Sequence, residues 1–288
     1  MADTIKKVGV VGCGIMGGGI AQTCIQAGYP TVAREVNQQL LDKGLSGIRS
    51  NLARAVERGR MTDAQRSEAL ARLRGTLQFE DFKDCDLVIE AVVENTEEKR
   101  KVFTALDAVC PPHTLLATNT SSLCVAEVAA ATRRPDKVVG MHFFNPVPVM
   151  KLVEVVRPIT ASDEAIAKAK AFAESLGKTV VLAKDTPGFV VNRLLVPYLL
   201  DAIRVLETGT ASKEEIDQGM TLGCGHPMGP LTLIDLLGLD TTYYIAQAMC
   251  QEFGESRFVP PVLLKRMVLS GRLGRKTGRG FYDYTQQK

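Results

Sequence analysis

Two side chains in the middle of the chain are of types that move protons. His142, one of three histidines, opens the run His142-Phe143-Phe144-Asn145-Pro146. Glu154 then interrupts an otherwise apolar segment, Leu152-Val153-Glu154-Val155-Val156. An ionised carboxylate in a low-dielectric strand is costly unless paired, and an imidazole is a natural partner for it. A histidine backed by a buried carboxylate transfers protons near neutral pH. The same residues also fit a core histidine at a strand end and a glutamate on an exposed edge. On the residues alone both readings stand.

A second group is suited to holding a dinucleotide. Lys6 to Val11 reads as a short strand of the buried, parallel type. It runs into Gly12-Cys13-Gly14-Ile15-Met16-Gly17, and a helical pattern through Ile20, Ala21, Cys24 and Ile25 follows. In this strand–turn–helix context the first glycine makes the turn, the second admits a pyrophosphate, and the third lets helix and strand pack closely. The helix N-terminus then offers unpaired N–H groups to the phosphates. The next strand, Thr31 to Ala33, ends in Arg34-Glu35. A carboxylate at that strand end bonds ribose hydroxyls and repels a 2′-phosphate, which favours NAD. Arg34 pulls the other way, since an arginine there can receive a 2′-phosphate.

The elements that must position these groups alternate. Residues 37–74 read as a charged helical pair broken at Gly59, with Asp42, Lys43, Arg49, Arg54, Glu57, Arg58 and Arg60 on it. This is either a solvated face or a basic arm for an anionic substrate. Strands follow over 86–92 and 114–117, with a helix over 96–109 between them. Thr118-Asn119-Thr120-Ser121-Ser122 closes the second strand and fits either a ligand crevice or a helix cap for 123–130. A strand over 137–141 delivers His142, and 149–156, a helix over 162–176 and a strand over 179–183 follow. This alternation predicts a mostly parallel sheet.

After Asp185-Thr186-Pro187-Gly188 the pattern turns helical. Helices are predicted over 188–207, with a kink at Pro197, and over 231–237, 240–253 and 260–270. Ser212 with Glu215 forms a capping-box signal. The segment Lys265 to Arg279 is basic and contains Lys276.

Composition narrows the class. With 288 residues the chain has room for two ordinary domains, and 45% hydrophobic content supports a substantial core. A net charge of +3 gives no case for nucleic acid. No apolar run is long enough to span a bilayer, and Met1 to Lys7 leads straight into a strand pattern without a signal-peptide core. Seven cysteines without a close pair read as reduced thiols in the cytoplasm. With the histidines scattered, no metal site is expected.

From Gly12-Cys13-Gly14-Ile15-Met16-Gly17 through Glu94-Asn95, Asn119 to Leu123, His142 to Pro146, Asp185 to Arg193, Pro227 to Pro230 and Lys276-Thr277-Gly278, nearly the whole chain resembles the L-3-hydroxyacyl-CoA dehydrogenase family. The resemblance implies that His142 is the catalytic acid/base and Glu154 its partner. It places Ser121 and Asn192 near the reacting oxygen and the thioester carbonyl. It places Gly12, Gly14, Ile15, Met16, Gly17, Glu35, Glu94, Lys99, Ser121, Asn145 and Lys276 around NAD. It also implies that the helical arm contacts coenzyme A through Asn51 and Arg58, where the family more often has Ser and Lys. Glu35 likewise stands where the family more often has Asp.

The expected fold is α/β: a Rossmann-type, mostly parallel sheet with a helical arm over residues 1–185, then a smaller all-α domain over 186–288. The apolar helices of that second domain and the resemblance together imply a homodimer formed through it, which carries substrate contacts as well. Two other functions remain open on the sequence. One is an NAD-dependent dehydrogenase of a free hydroxy acid or sugar acid, which has no use for the basic arm. The other is a non-catalytic dinucleotide-binding sensor, which has no physical reason to keep His142, Glu154, Ser121 and Asn192 together.

Overall fold

A computed structural model describes residues 5–285. Met1 to Thr4, the start of the N-terminal stretch discussed above, and Gln286 to Lys288, the end of the predicted second domain, lie outside the described residues. The chain divides into two compact units between Thr186 and Pro187.

The first unit is built on eight strands: β1 (Val8–Val11), β2 (Thr31–Arg34), β3 (Leu73–Thr76), β4 (Leu87–Glu90), β5 (Leu115–Thr118), β6 (Val138–Phe143), β7 (Leu152–Arg157) and β8 (Thr179–Lys184). They form one sheet in the order β3-β2-β1-β4-β5-β6-β7-β8. Every residue of β1, β4, β5 and β6 is buried, as short apolar runs in the middle of a sheet covered on both faces must be. The helices are α1 (Ile15–Gln26), α2 (Gln38–Glu57), α3 (Asp63–Ala71), α4 (Thr96–Val109), α5 (Val125–Ala129) and α6 (Asp163–Ser175). Side-chain oxygens at their starts take the first orphan amides: Asn37 for α2, Thr62 for α3, Asn95 for α4 and Ser162 for α6. Ile20 and Ile25 of α1 and Phe172 of α6 pack with Ile89 and Met141 of the sheet in one core.

Because β2 and β3 lie on one side of β1 and β4 on the other, the strand order reverses at β1. Ligands of doubly wound sheets bind at the carboxyl ends of strands at such a switch point. All neighbouring strands are parallel except β6 and β7, which are antiparallel and joined by the turn at residues 144–151.

Two sequence expectations need correction here. Residues 37–74 are not helical throughout. The two helices are present, but Leu73 begins an edge strand that pairs with β2, and its sequence, Leu-Arg-Gly-Thr, has no apolar run to announce it. His142 does not follow a strand but lies inside β6, and the facing strand starts at Leu152, later than the predicted 149.

The second unit is helical: α7 (Val191–Glu207), α8 (Lys213–Cys224), α9 (Pro230–Leu237), α10 (Leu239–Phe253) and α11 (Val262–Leu269). The predicted capping box is present, with Ser212 and Glu215 each taking the other's amide. Helix α7 continues through Pro197, its buried face supplied by Leu199, Leu200 and Ile203. These side chains pack with Leu231 and Ile234 of α9 and Met249 of α10. The carboxylates of Asp217 and Asp235 tie down the chain end: Asp217 accepts from the Tyr282 hydroxyl at 2.9 Å, and Asp235 accepts from the amides of Phe281 at 2.8 Å and Tyr282 at 2.9 Å.

Candidate active site

The antiparallel pairing of β6 and β7 sets the central geometry. Its register places Gly140 opposite Val156 and His142 opposite Glu154. Directly opposed residues project from the same face of a sheet, so their side chains meet. His142 Nδ1 lies 2.7 Å from Glu154 Oε2, with the Glu154 side chain fully buried and that of His142 8% exposed. Strand β7 has neighbours on both sides, β6 and β8, so the edge position considered for Glu154 is not what the fold provides. A carboxylate so deep in the sheet needs a charge-compensating hydrogen bond. The ring of Phe144 lies 4.5 Å from that of His142, centroid to centroid. The amide of Phe143 donates to Asn119 Oδ1 at 2.9 Å, which ties the end of β6 to the end of β5.

A second cluster forms where β4 and β5 end. Glu94 Oε1 accepts from Thr120 Oγ1 at 2.6 Å, from the Ser121 amide at 2.8 Å and from Ser121 Oγ at 3.2 Å. Lys99 reaches Glu94 Oε2 at 3.2 Å and Glu90 Oε1 at 2.7 Å. Thr118 Oγ1 donates to the other oxygen of Glu90 at 2.7 Å. Burial raises the Glu94 carboxyl, but the Lys99 ammonium and the bonds from Thr120 and Ser121 outweigh it and hold it below the usual carboxylate range. Lys99 is 1% exposed and stands behind Glu94.

The helix-cap reading of Thr118 to Ser122 is not what the fold provides. The first amides of α5, on Val125 and Ala126, donate to the carboxylate of Asp185 at 2.9 and 2.7 Å. The helix cap is therefore Asp185, distant in sequence, and Ser121 is bonded to Glu94. Thr120 Oγ1 accepts from the Leu123 amide at 2.9 Å and shapes the turn. Glu90 and Asp185 escaped the sequence reading. Glu90 carried a usable signal, a carboxylate closing the apolar run Leu87-Val88-Ile89, the same signal that marked Glu154. Asp185 carried none, because its partner amides are remote.

The glycine loop meets the geometric demands of a dinucleotide site. Gly12 has φ +92°, and a Cβ there would come within 2.6 Å of Ala91 O; a Cβ on Gly17 would overlap Gly12 O. Glu35 Oε1 accepts from the Cys13 amide at 2.6 Å, and Oε2 from the Val36 amide at 3.0 Å. The carboxylate is thus held against the loop. An ionised carboxylate has about four acceptor sites, so it retains capacity for ribose hydroxyls. Burial, then the charge of Glu35, pushes the Cys13 thiol up to about 11. Arg34 turns toward β3: its guanidinium lies 4.0 Å from the centre of the Phe79 ring, and Nε donates to Leu77 O at 3.3 Å. The guanidinium is thus anchored beside β3, with one of its five donors committed. A cleft of about 390 Å³ runs between this loop and the turn after His142, lined by Gly14, Ile15, Glu35, Asn51, Asn145 and Val147 among others. The residues at the glycine-loop end of this cleft, Gly14, Ile15 and Glu35, therefore fit NAD.

On α2, Asn51 Nδ2 donates to Gln22 Oε1 of α1 at 3.2 Å and Asn51 Oδ1 accepts from Arg54 at 2.6 Å. Arg58 follows the last turn of α2 and is exposed. Asn192 and Lys276 belong to the second unit. Asn192 sits in the first turn of α7, just after Gly188 at φ +76° and Phe189 at φ +46°. A bulky aromatic in the left-handed region is strained, and Phe189 is nevertheless buried. Lys276 pairs with Asp240 at 2.6 Å. Among the described residues no group of three or more His, Cys, Asp and Glu side chains is placed to hold a metal ion, and no helix is long and apolar enough to cross a membrane.

Comparison with known proteins gives one answer along the chain. Residues 7–186 match the NAD binding domain of 3-hydroxyacyl-CoA dehydrogenase, and residues 188–284 match its C-terminal domain. The 3-hydroxybutyryl-CoA dehydrogenase of Mycobacterium tuberculosis is 49% identical over 286 residues, 99% of this chain and 100% of that protein. The crystal structure of M. tuberculosis FadB2 superposes with a TM-score of 0.97 at 49% identity, covering 98% of this chain and 100% of that one. The (S)-3-hydroxybutyryl-CoA dehydrogenase of Ralstonia eutropha superposes with a TM-score of 0.95 at 44% identity, again over 98% and 100%. The chain belongs to the 3-hydroxyacyl-CoA dehydrogenase family and is an NAD-dependent dehydrogenase of that family.

Proposed function

We propose that the protein interconverts (S)-3-hydroxybutyryl-CoA and acetoacetyl-CoA, with His142 and Glu154 as its acid/base pair. The observation that carries the chemistry is the 2.7 Å bond between His142 Nδ1 and a fully buried Glu154 carboxylate. With Nδ1 donating to Glu154, Nε2 is the nitrogen that exchanges a proton with substrate. In oxidation it takes the 3-hydroxyl proton as the C3–H bond breaks and the carbonyl forms. In reduction it returns that proton to the oxygen. Glu154 fixes the ring orientation and opposes the charge that the imidazole acquires. NAD, when bound, supplies the acceptor or donor of the C3 hydride.

The remaining assignments are those that membership of the family implies. Ser121 orients the reacting oxygen, itself oriented by Glu94, and Asn192 orients the thioester. Gly12, Gly14, Ile15, Met16 and Gly17 with Glu35 hold the dinucleotide, with Glu94, Asn145 and Lys276 contributing and Lys99 acting through Glu94. Arg34 anchored on Phe79 and the family match to an NAD binding domain support NAD over NADP. Asn51 on α2 and the exposed Arg58 just after it receive the nucleotide end of coenzyme A. The second unit exposes Leu194, Leu222 and Leu269, which suits a cytoplasmic homodimer formed through its helices; a monomeric mass by sedimentation would remove that part.

The reaction is tested by NAD reduction with the two enantiomers of 3-hydroxybutyryl-CoA. The S form is expected to be turned over at least about a hundredfold faster, because a fixed base and hydride acceptor fit one hand of C3. Equal rates, or turnover of the R form alone, would contradict the assignment.

A further inference from the structure

Lys178 is a buried lysine that the chemistry above does not use. It stands between Gly177 and the start of β8 and is 8% exposed. Its Nζ donates to two backbone carbonyls, Val147 O at 2.6 Å and Met150 O at 2.9 Å. Burial holds its pKa below the ordinary lysine value. The neighbouring Cys24 thiol, pushed up to about 12 by burial, is neutral and offers no counter-charge. An ammonium kept in such a place is costly, and apolar filling would need no charge. What it gains is a grip on both ends of one turn.

That turn connects the strand carrying His142 to the strand carrying Glu154. The amides of Val149 and Met150 close it onto Pro146 O at 2.9 and 3.0 Å. Immediately beyond, the Thr179 amide donates to Lys151 O at 2.7 Å, so the same stretch of chain stitches the turn to β8. On the opposite side the turn leans on α1: a Cβ added to Gly19 would come within 2.9 Å of Val147 Cβ. Beyond the glycine-loop end, Pro146 to Pro148 line the part of the cleft that Asn51 also lines. The ammonium thus holds the turn from behind, out of reach of any ligand in the cleft.

We propose that Lys178 is a positioning residue that fixes the 146–150 turn as a wall of the coenzyme A channel and thereby sets affinity for the thioester. The proposal rests on the reading of Asn51 and its helix as the coenzyme A side. It is tested on the full-length protein with Lys178→Met, Lys178→Gln and Lys178→Arg, reading KM and kcat for acetoacetyl-CoA at saturating NADH, the Kd of NADH by fluorescence, and Tm. Lys178→Met is expected to raise KM for acetoacetyl-CoA about tenfold with kcat changed less than about threefold and the NADH Kd within about twofold, the pattern of lost binding shared by ground and transition states. Lys178→Arg, which keeps charge and donors, is expected to recover most of the loss.

A lowered Tm with unchanged KM overturns the proposal and leaves Lys178 as a fold-stabilising group only. A fall in kcat at constant KM overturns it as well. Should Lys178→Met fail to fold, Lys178→Gln, which keeps a donor for one carbonyl, is read the same way, and a wild-type KM there overturns it. If the wild-type enzyme itself does not reduce acetoacetyl-CoA, the proposed function fails instead. The variants are then compared by calorimetric titration with coenzyme A, where a Kd equal to wild type overturns the role of Lys178.

Discussion

Replacing His142 by Gln is expected to lower kcat with acetoacetyl-CoA and NADH by about a thousandfold or more, the scale of a lost general acid/base. NADH affinity is expected to stay within about twofold, because the glycine loop and Glu35 lie on other strands and keep their own hydrogen bonds. The substitution separates chemistry from structure. The glutamine amide can donate to Glu154 much as Nδ1 does, so the buried carboxylate is not left without a partner and β6 and β7 keep their register. What disappears is the second nitrogen, and with it a group able to take and return a proton. Steady-state kinetics beside a fluorescence titration with NADH checks both halves. Activity within about tenfold of wild type would remove His142 from the mechanism, since no other side chain in the cluster has its acid/base range.

In the oxidation of (S)-3-hydroxybutyryl-CoA by NAD, replacing Glu154 by Gln is expected to lower kcat about a hundredfold, a loss of roughly 2.7 kcal/mol in barrier, while KM for the thioester changes less than about threefold. Two charges about 4 Å apart at an effective dielectric of ~20 interact by roughly 4 kcal/mol before desolvation is counted. The carboxylate meets that charge only when the imidazole carries the substrate's proton, so its loss weighs on the transition state and not on binding. An amide fills the same volume, which keeps the fully buried site packed. It can also turn its NH₂ toward Nδ1, which would move the ring proton to Nε2 and disable the base. Progress curves at several thioester concentrations separate kcat from KM. An unchanged kcat would return Glu154 to a purely structural role.

How far the sequence alone carries depends on the range of each signal. The β1–turn–α1–β2 unit is legible because an apolar strand, spaced glycines and an apolar helix follow one another locally. The caps at Asn37, Thr62 and Ser212 are local for the same reason. Strand β3 is illegible because its pairing with β2, and not its composition, makes it a strand. The site behaves alike. Glu154 announces itself as a carboxylate in an apolar run, yet that His142 faces it depends on the antiparallel register of β6 and β7. The helix cap by Asp185 and the grip of Lys178 on Val147 and Met150 join residues far apart in the chain, and only the folded sheet brings them together. Arg34 shows the reverse case. Its position beside Glu35 argued for a 2′-phosphate, whereas the fold anchors it on Phe79 and the family match is to an NAD binding domain.

The measurement that bears most directly on the account is NADH oxidation by acetoacetyl-CoA near neutral pH, run beside NADPH and beside free acetoacetate. The predicted result is turnover with the thioester and NADH, with kcat/KM at least about a hundredfold lower for NADPH, whose 2′-phosphate meets the Glu35 carboxylate, and lower still for free acetoacetate, which leaves the coenzyme A contacts unused. Equal efficiency with free acetoacetate, or no turnover of the thioester by an enzyme that binds NADH, would contradict it.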